Sequence, residues 1–299
     1  MKNLIRSNDN IILGHGAAIF SIVVWGTTFI STKVLLRSFS PVEILFLRFL
    51  IGYLALWVAQ PKPIRGTDWR QELTYAAAGL SGVTFYFLLE NMALTYTMAS
   101  NVSLIISAAP FFTALLTRLV SKEEGRLRPA FFVGFALAMA GIALISLNST
   151  QLSLNPLGDL LALLAALMWA VYGVATRHIG TYGHSTVQTT RRIFFYGLLF
   201  MIPALFWMDF HPDWPLLLRP INWGNLLFLG LGASALCFAA WNFAVKVVGT
   251  VRTTAYIYMT PVVTVAASAL LLGEPVTYLS VLGVLLTLTG LFLSERHES

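Results

Sequence analysis

Apolar residues fill long stretches of this chain, and charged residues, Pro and Gly gather in the short gaps between them. A helix needs about 20 mostly apolar residues to cross the hydrocarbon of a bilayer. Runs of that kind lie near residues 14–36, 41–60, 72–94, 99–119, 129–147, 157–176, 186–207, 224–245, 251–272 and 276–293. The pattern predicts an all-α integral membrane protein of ten transmembrane helices. The first run carries no small-residue cleavage pattern at its end and nine more follow it, so it reads as a span and not as a signal peptide.

The pattern also repeats. Trp25, Lys33 and Arg48 align with Trp169, Arg177 and Arg192 at a shift of 144 positions, and Gly79, Asn91 and Pro110 align with Gly230, Asn242 and Pro261 at a shift of 151. Gly134 and Gly141 align with Gly283 and Gly290 at a shift of 149. Changing loop lengths account for the drift. Each half, residues 14–147 and 157–293, would hold five helices. Five is odd, so the second copy must enter the membrane from the opposite side, giving two inverted five-helix repeats (5+5). That architecture suits alternating access, with a small-molecule substrate held near the midplane where the halves meet.

Composition agrees: 57% of the 299 residues are hydrophobic and 11% charged, against about 25% charged in a soluble domain. The net charge of +6 points to orientation in a bilayer more than to nucleic acid, which is not expected as a partner. With the N-terminus inside, thirteen Lys and Arg fall on the inner side and three, Lys33, Arg37 and Arg219, on the outer. This asymmetry predicts a multi-pass protein of the plasma or inner membrane with both termini cytoplasmic. A single cysteine, Cys237, is neither a disulfide nor a metal site, and packing is its expected role.

VVWGTTF in the first span, LRF at 47–49, ENMALTYTMASNVSLIISAAPFFTALL across the third and fourth spans, and LLLGEPV before a Gly-x6-Gly helix stand in an order that resembles the drug/metabolite transporter superfamily, specifically two EamA-type domains. The resemblance covers nearly the whole chain and rests on the order and repetition of the motifs. It implies a transporter exporting small organic metabolites such as amino acids or drug-like compounds. Phosphorylated-sugar or nucleotide-sugar exchange, known among relatives of the same fold, is the alternative cargo.

Candidate substrate-binding residues follow from polar and aromatic faces at symmetric positions. Trp25 and Thr28 share a helical face with Ser21 and Thr32, and Trp169 and Tyr172 mark the equivalent face in the second half. Ser103 and Ser107 in the fourth span correspond to Thr254 and Tyr258 in the ninth. The alternative for each hydroxyl is ordinary helix–helix bonding. Pro110 and Pro261 stand mid-span, where each frees a carbonyl four residues back, at Ile106 and Ile257, and makes a hinge or a fixed kink. Gly134, Gly141, Gly283 and Gly290 read as packing faces, which places spans 5 and 10 behind a cavity built from spans 1, 3, 4, 6, 8 and 9.

The intramembrane charges carry the most chemistry. Glu90 in FLLENMALTY and Arg48 both fall in the outer half of their spans, and a buried ion needs a partner. They are expected to face each other or share a substrate, with Asn91 and its repeat mate Asn242 alongside. Glu90 could change protonation between states, so proton coupling stays open, as does the choice between monomer and homodimer. Arg192 has no acid in the inner half of a span by this reading, and is expected to snorkel to the cytoplasmic surface or to await an anion, with Trp241 as a stacking partner. An intramembrane enzyme is disfavoured. GLSG at 79–82 fits a nucleophile pattern, but all five histidines lie in loops or at span ends, so Ser81 has no base within reach. No catalytic residue, metal ligand or cofactor is expected.

Overall fold

The computed structural model describes residues 2–96, 102, 105–120, 129–147, 155–208, 210–272 and 277–295. Among these, every regular element is helical. In chain order the longer ones are α1 (Lys2–Leu35), α2 (Pro41–Ala59), α3 (Trp69–Tyr96), α4 (Ala109–Val120), α5 (Pro129–Leu147), α6 (Pro156–Gly180), α7 (Thr186–Trp207), α8 (Pro220–Val248), α9 (residues 250–272) and α10 (Tyr278–Glu295), and a single helical turn, Trp214–Leu217, stands between α7 and α8. Six of them are long and apolar enough to cross a membrane, namely α2, α3, α6, α7, α8 and the Asn10–Thr32 portion of α1.

Local chemistry sets where the helices begin. Ser40 caps α2 with Glu43 in a reciprocal capping box and Pro41 at the first position. Asp68 and Gln71 do the same for α3, and Asn155 and Ser185 cap α6 and α7. Such side chains satisfy the orphan amides of the first turn. The Asp68 cap starts α3 three residues ahead of the apolar run. Glu72 thus stands in the first turn of α3 and pairs with Arg192, which overturns the expectation that Arg192 has no acidic neighbour.

The long helices are not uniform. Residues Leu80–Phe85 of α3 and Phe228–Leu236 of α8 are wound as π-helix. These stretches occupy repeat-equivalent positions, and the second is rich in Gly, Ala and Ser. In α9 a 3₁₀ turn, Tyr256–Met259, precedes Pro261. Ahead of Pro110 the chain turns at residues 107–108. Both prolines therefore sit just past a break in the helix, as the loss of a backbone donor requires.

The core between the helices is aromatic. Phe49, Phe87, Phe194 and Phe238 meet edge to face, and Trp25, Trp169 and Trp241 meet beside them with centroids 5.0 to 5.8 Å apart. Behind this core α5 and α10 cross at glycine. A Cβ on Gly141 would come within 2.5 Å of the Gly283 carbonyl, and one on Gly290 within 2.4 Å of the Ala138 nitrogen. The two backbones touch because no side chain separates them.

Hydrogen bonds tie the loops at both ends of the bundle. At one end the Glu43 carboxylate accepts from the His211 amide at 3.0 Å, so the start of α2 holds the α7–α8 loop. At the end where α1 begins, Gln188 Nε2 donates to the Lys62 carbonyl at 2.9 Å and Ser185 donates to Gln60 at 2.6 Å. Arg191 adds bonds to the carbonyls of Gln60 and Lys62. There the start of α7 holds the α2–α3 loop.

Candidate functional site

One pocket lies between α1, α2, α3, the segment leading into α4, α6 and α9, with an empty volume of about 530 Å³ including its mouth. Its polar lining is Thr28, Arg48, Tyr86, Glu90, Ser107 and Thr260, and its apolar wall includes Trp25, Trp169, Phe29 and Ile106. Ile106 and Ile257, the residues whose carbonyls the two prolines free, both line it.

Arg48 is the best anchored of these groups. It is 2% exposed. Its Nε donates to Ser234 at 3.1 Å, and its guanidinium lies over the Phe87 ring, 4.5 Å from the centroid. A planar cation on an aromatic face in a dry site is favourable. The π-helical stretch of α8 explains the anchoring. It offers Ser234 to Arg48, and its Ala233 carbonyl accepts from the Trp25 indole at 2.9 Å. A π turn in a helix frequently marks a functional position. Ser234 was not legible in the sequence, because its repeat mate is Val83, which carries no polar group.

Glu90 is 7% exposed, and its Oε2 is buried without a hydrogen-bond partner. The Arg48 charge and the Tyr86 hydroxyl, one helical turn earlier, both act on it. No ion pair within 4 Å joins Glu90 to Arg48 among the described residues, where the Arg192–Glu72 pair is the one found. Arg48 and Glu90 thus face one cavity without neutralising each other by contact. Tyr86 was overlooked, although its position four residues before Glu90 was the signal to find it.

Several expected site residues lie elsewhere. Asn91 donates to the Pro41 carbonyl at 3.3 Å and so fastens α3 to α2. Asn242 accepts from Tyr172 at 2.6 Å and donates to Thr190 at 3.0 Å. All three polar groups are thereby spent on helix packing, and Gly82 sits flush against the Tyr172 ring. Trp241 is fully buried against Trp25 and Trp169 but is not among the residues that line the pocket, and Arg192 lies over Phe195 and Tyr196 instead of it. The Tyr258 ring turns to the back, among Ala138, Ile142 and Ala255. Thr254 bonds the Thr250 carbonyl in its own helix. Ser103 lies outside the described residues.

Arg192 is placed away from the pocket. It is 33% exposed and forms a two-pronged pair with Glu72, Nη2 to Oε1 at 2.6 Å and Nε to Oε2 at 3.1 Å. Thr67 and Tyr196 donate to the same carboxylate. It therefore neither awaits an anion nor reaches for the surface alone. Ser81 donates to the Ala77 carbonyl within its own helix, as a packing hydroxyl does.

Comparison with known proteins gives the family and the fold. The model of a family described as the EamA-like transporter family matches residues 12–147 and again residues 156–296. An uncharacterized transporter of Archaeoglobus fulgidus is 27% identical over 95% of this chain and 98% of its own. A probable amino-acid metabolite efflux pump of Escherichia coli K12 is 29% identical over 93% of each chain. A probable terminal-alkyne amino-acid exporter of Streptantibioticus cattleyicolor is 26% identical over 94% of this chain and 93% of its own. A solved crystal structure shares the fold with a TM-score of 0.73 at 21% identity, covering 98% of this chain and 99% of that one.

Proposed function

Since the chain belongs to the EamA-like transporter family, and is a membrane transporter and not an enzyme, we propose that it exports small zwitterionic metabolites, amino-acid-like in their charges, by alternating access. The observation that carries this reading is the pair of opposite charges facing one aromatic-walled pocket, with one Glu90 oxygen buried and unpartnered. A substrate ammonium at Glu90 and a substrate carboxylate at Arg48 would satisfy both. Each alone would be an expensive group to bury. The names of the relatives in Escherichia coli and Streptantibioticus cattleyicolor support this cargo class. Phosphorylated sugars fit less well, because Arg192 is already paired with Glu72 and Arg48 is the cation that lines the pocket.

The transport route in this reading needs the ten-helix, two-repeat arrangement, with 14–147 and 157–293 as inverted copies and both termini in the cytoplasm of an inner or plasma membrane. The reciprocal loop ties support the inversion: the start of α2 binds the α7–α8 loop, and the start of α7 binds the α2–α3 loop at the opposite end. A carrier differs from a pore in counterflow. Proteoliposomes loaded with unlabelled amino acids should accumulate labelled amino acids transiently, with uptake that saturates, and should do so with or without an imposed pH gradient unless protons are coupled. Uptake that rises linearly with concentration and ignores the internal load would sink the carrier reading.

A further inference from the structure

Below the pocket, toward the end of the bundle where α1 begins, α4 and α9 close on each other along threonines. Thr113 and Thr117 of α4 and Thr250, Thr253 and Thr254 of α9 are all essentially fully buried. The seam meets at Gly173 of α6, where an added Cβ would lie 2.9 Å from the Thr250 methyl and 3.8 Å from the Thr113 methyl. A threonine in a helix can bond a carbonyl three or four residues back at little cost. Thr113 and Thr254 do so, and Thr250 donates across to the Gly173 carbonyl at 3.2 Å. Among the described residues, the hydroxyls of Thr117 and Thr253 are buried and find no hydrogen-bond partner. A buried donor left unmade bears its full desolvation penalty, and valine would fill the same space without it.

Two further observations say what these hydroxyls are for. First, the same two segments of chain line the pocket, through Ile106 and Ser107 just ahead of α4 and through Ile257 and Thr260 on α9. The helix breaks, at 107–108 ahead of Pro110 and at Tyr256–Met259 ahead of Pro261, fall at the edge of the pocket toward the seam, with Ser107 and Ile257 within them. Each helix is therefore jointed where the cavity ends and the threonines begin. Secondly, the ties made by α2 and α7 are formed at both ends of the bundle in one structure. Two alternating gates would not be shut by the same means at the same time, so α2 and α7 form the fixed part.

From this we infer that the threonine seam between α4 and α9 is the closed half of the cargo route, and that Thr117 and Thr253 are hydroxyls that water and the polar end of the cargo occupy when it opens. The inference rests on the transport reading above. It adds the residues that form the second half of the passage and the joints about which that half parts.

The test uses single-cysteine proteins on a Cys237→Ala background in sealed vesicles of both orientations, with a charged methanethiosulfonate as probe and a labelled amino-acid mixture as cargo. Thr117→Cys and Thr253→Cys should react from the face where α1 begins, and faster by at least about fivefold while cargo is exchanging, since exchange populates the opened state. Thr84→Cys, whose native hydroxyl bonds Gly197 on the fixed side, should stay inert. Thr253→Val and Thr117→Val should be at least as heat-stable as the parent yet transport about tenfold more slowly, with Ser at either position restoring the rate. If the parent exchanges cargo while both seam thiols are as inert as that at 84, or if both Val variants transport at the parental rate, the seam is packing and the inference is overturned. If the parent itself exchanges none of the mixture, it is the transport reading that fails.

Discussion

Glu90→Gln is expected to leave a protein that folds and inserts but scarcely transports. The substitution keeps the shape of the side chain and removes the charge. Folding should survive, because Arg48 keeps its bond to Ser234 and its place over the Phe87 ring when the Glu90 charge is gone, and among the described residues no ion pair within 4 Å involves Glu90. Transport should suffer greatly, because the carboxylate is the acidic group that lines the pocket. Losing one side of a buried, charge-assisted contact with a substrate ammonium costs about 3 kcal/mol, roughly a hundredfold in the rate at low substrate. Glu90→Asp keeps the charge on a shorter stem and should retain part of the activity. Counterflow in proteoliposomes across roughly pH 5 to 8 reads both, a range wide enough to expose a titrating acid. A Gln variant that transports like the parent throughout that range would make Glu90 a bystander.

Arg48 should behave differently, because it holds the structure as well as the cargo. Removing its charge as Arg48→Gln leaves Glu90 the uncompensated buried ion of the pocket. It also strands the Ser234 hydroxyl and takes the cation off the Phe87 ring. Breaking a buried charge arrangement from one side costs about 3–5 kcal/mol, which a thermal melt in detergent should show as a marked loss of stability along with transport. Adding Glu90→Gln to the same protein should recover much of that stability, because no buried charge is left alone, while transport stays absent. Arg48→Lys should fold yet transport poorly, since an ammonium offers neither the planar face to Phe87 nor the fork to a carboxylate. If the double variant were no more stable than Arg48→Gln, Arg48 and Glu90 would not be sharing one low-dielectric cavity.

Much of the fold was legible in the chain because a bilayer demands long apolar helices, and their helices are hard to mistake. The break points at Pro110 and Pro261 were legible for a similar reason: a missing donor acts wherever it stands. The positions of single side chains were less so. Hydropathy put Glu72 at the very first position of its span, and nothing in the pattern showed that it reaches Arg192 from the turn that Asp68 caps. Asn91 and Asn242 looked like site residues because both repeats keep a polar group there. Each is consumed by a helix–helix bond, to the Pro41 carbonyl in one half and to Thr190 in the other. Polar residues in apolar helices serve both as glue and as binding groups, and sequence alone does not say which way the side chain leans. Repeat symmetry misled at Tyr258, the mate of Ser107. The serine lines the pocket while the tyrosine ring packs behind it.

The pi-wound stretch of α8 shows the limit most clearly. Nothing in GLGASAL announces an extra residue in the turn, yet that turn aims Ser234 at Arg48 and the Ala233 carbonyl at Trp25. The second repeat thereby holds the charge that the first repeat presents to the pocket. This cross-bracing also explains why the two halves carry different residues at equivalent places. One copy supplies the ions and the other supplies the frame that keeps them apart.

The central claim is that the pocket binds a zwitterion by both its charges, and counterflow with three matched compounds tests it most directly. Leucine, whose side chain suits the apolar wall, should exchange. N-acetyl-leucine, which lacks the ammonium, and leucine methyl ester, which lacks the carboxylate, should each fail to drive exchange when loaded on the far side. Equal exchange of either derivative would contradict the account, because one of the two buried charges would then have no part in holding the cargo.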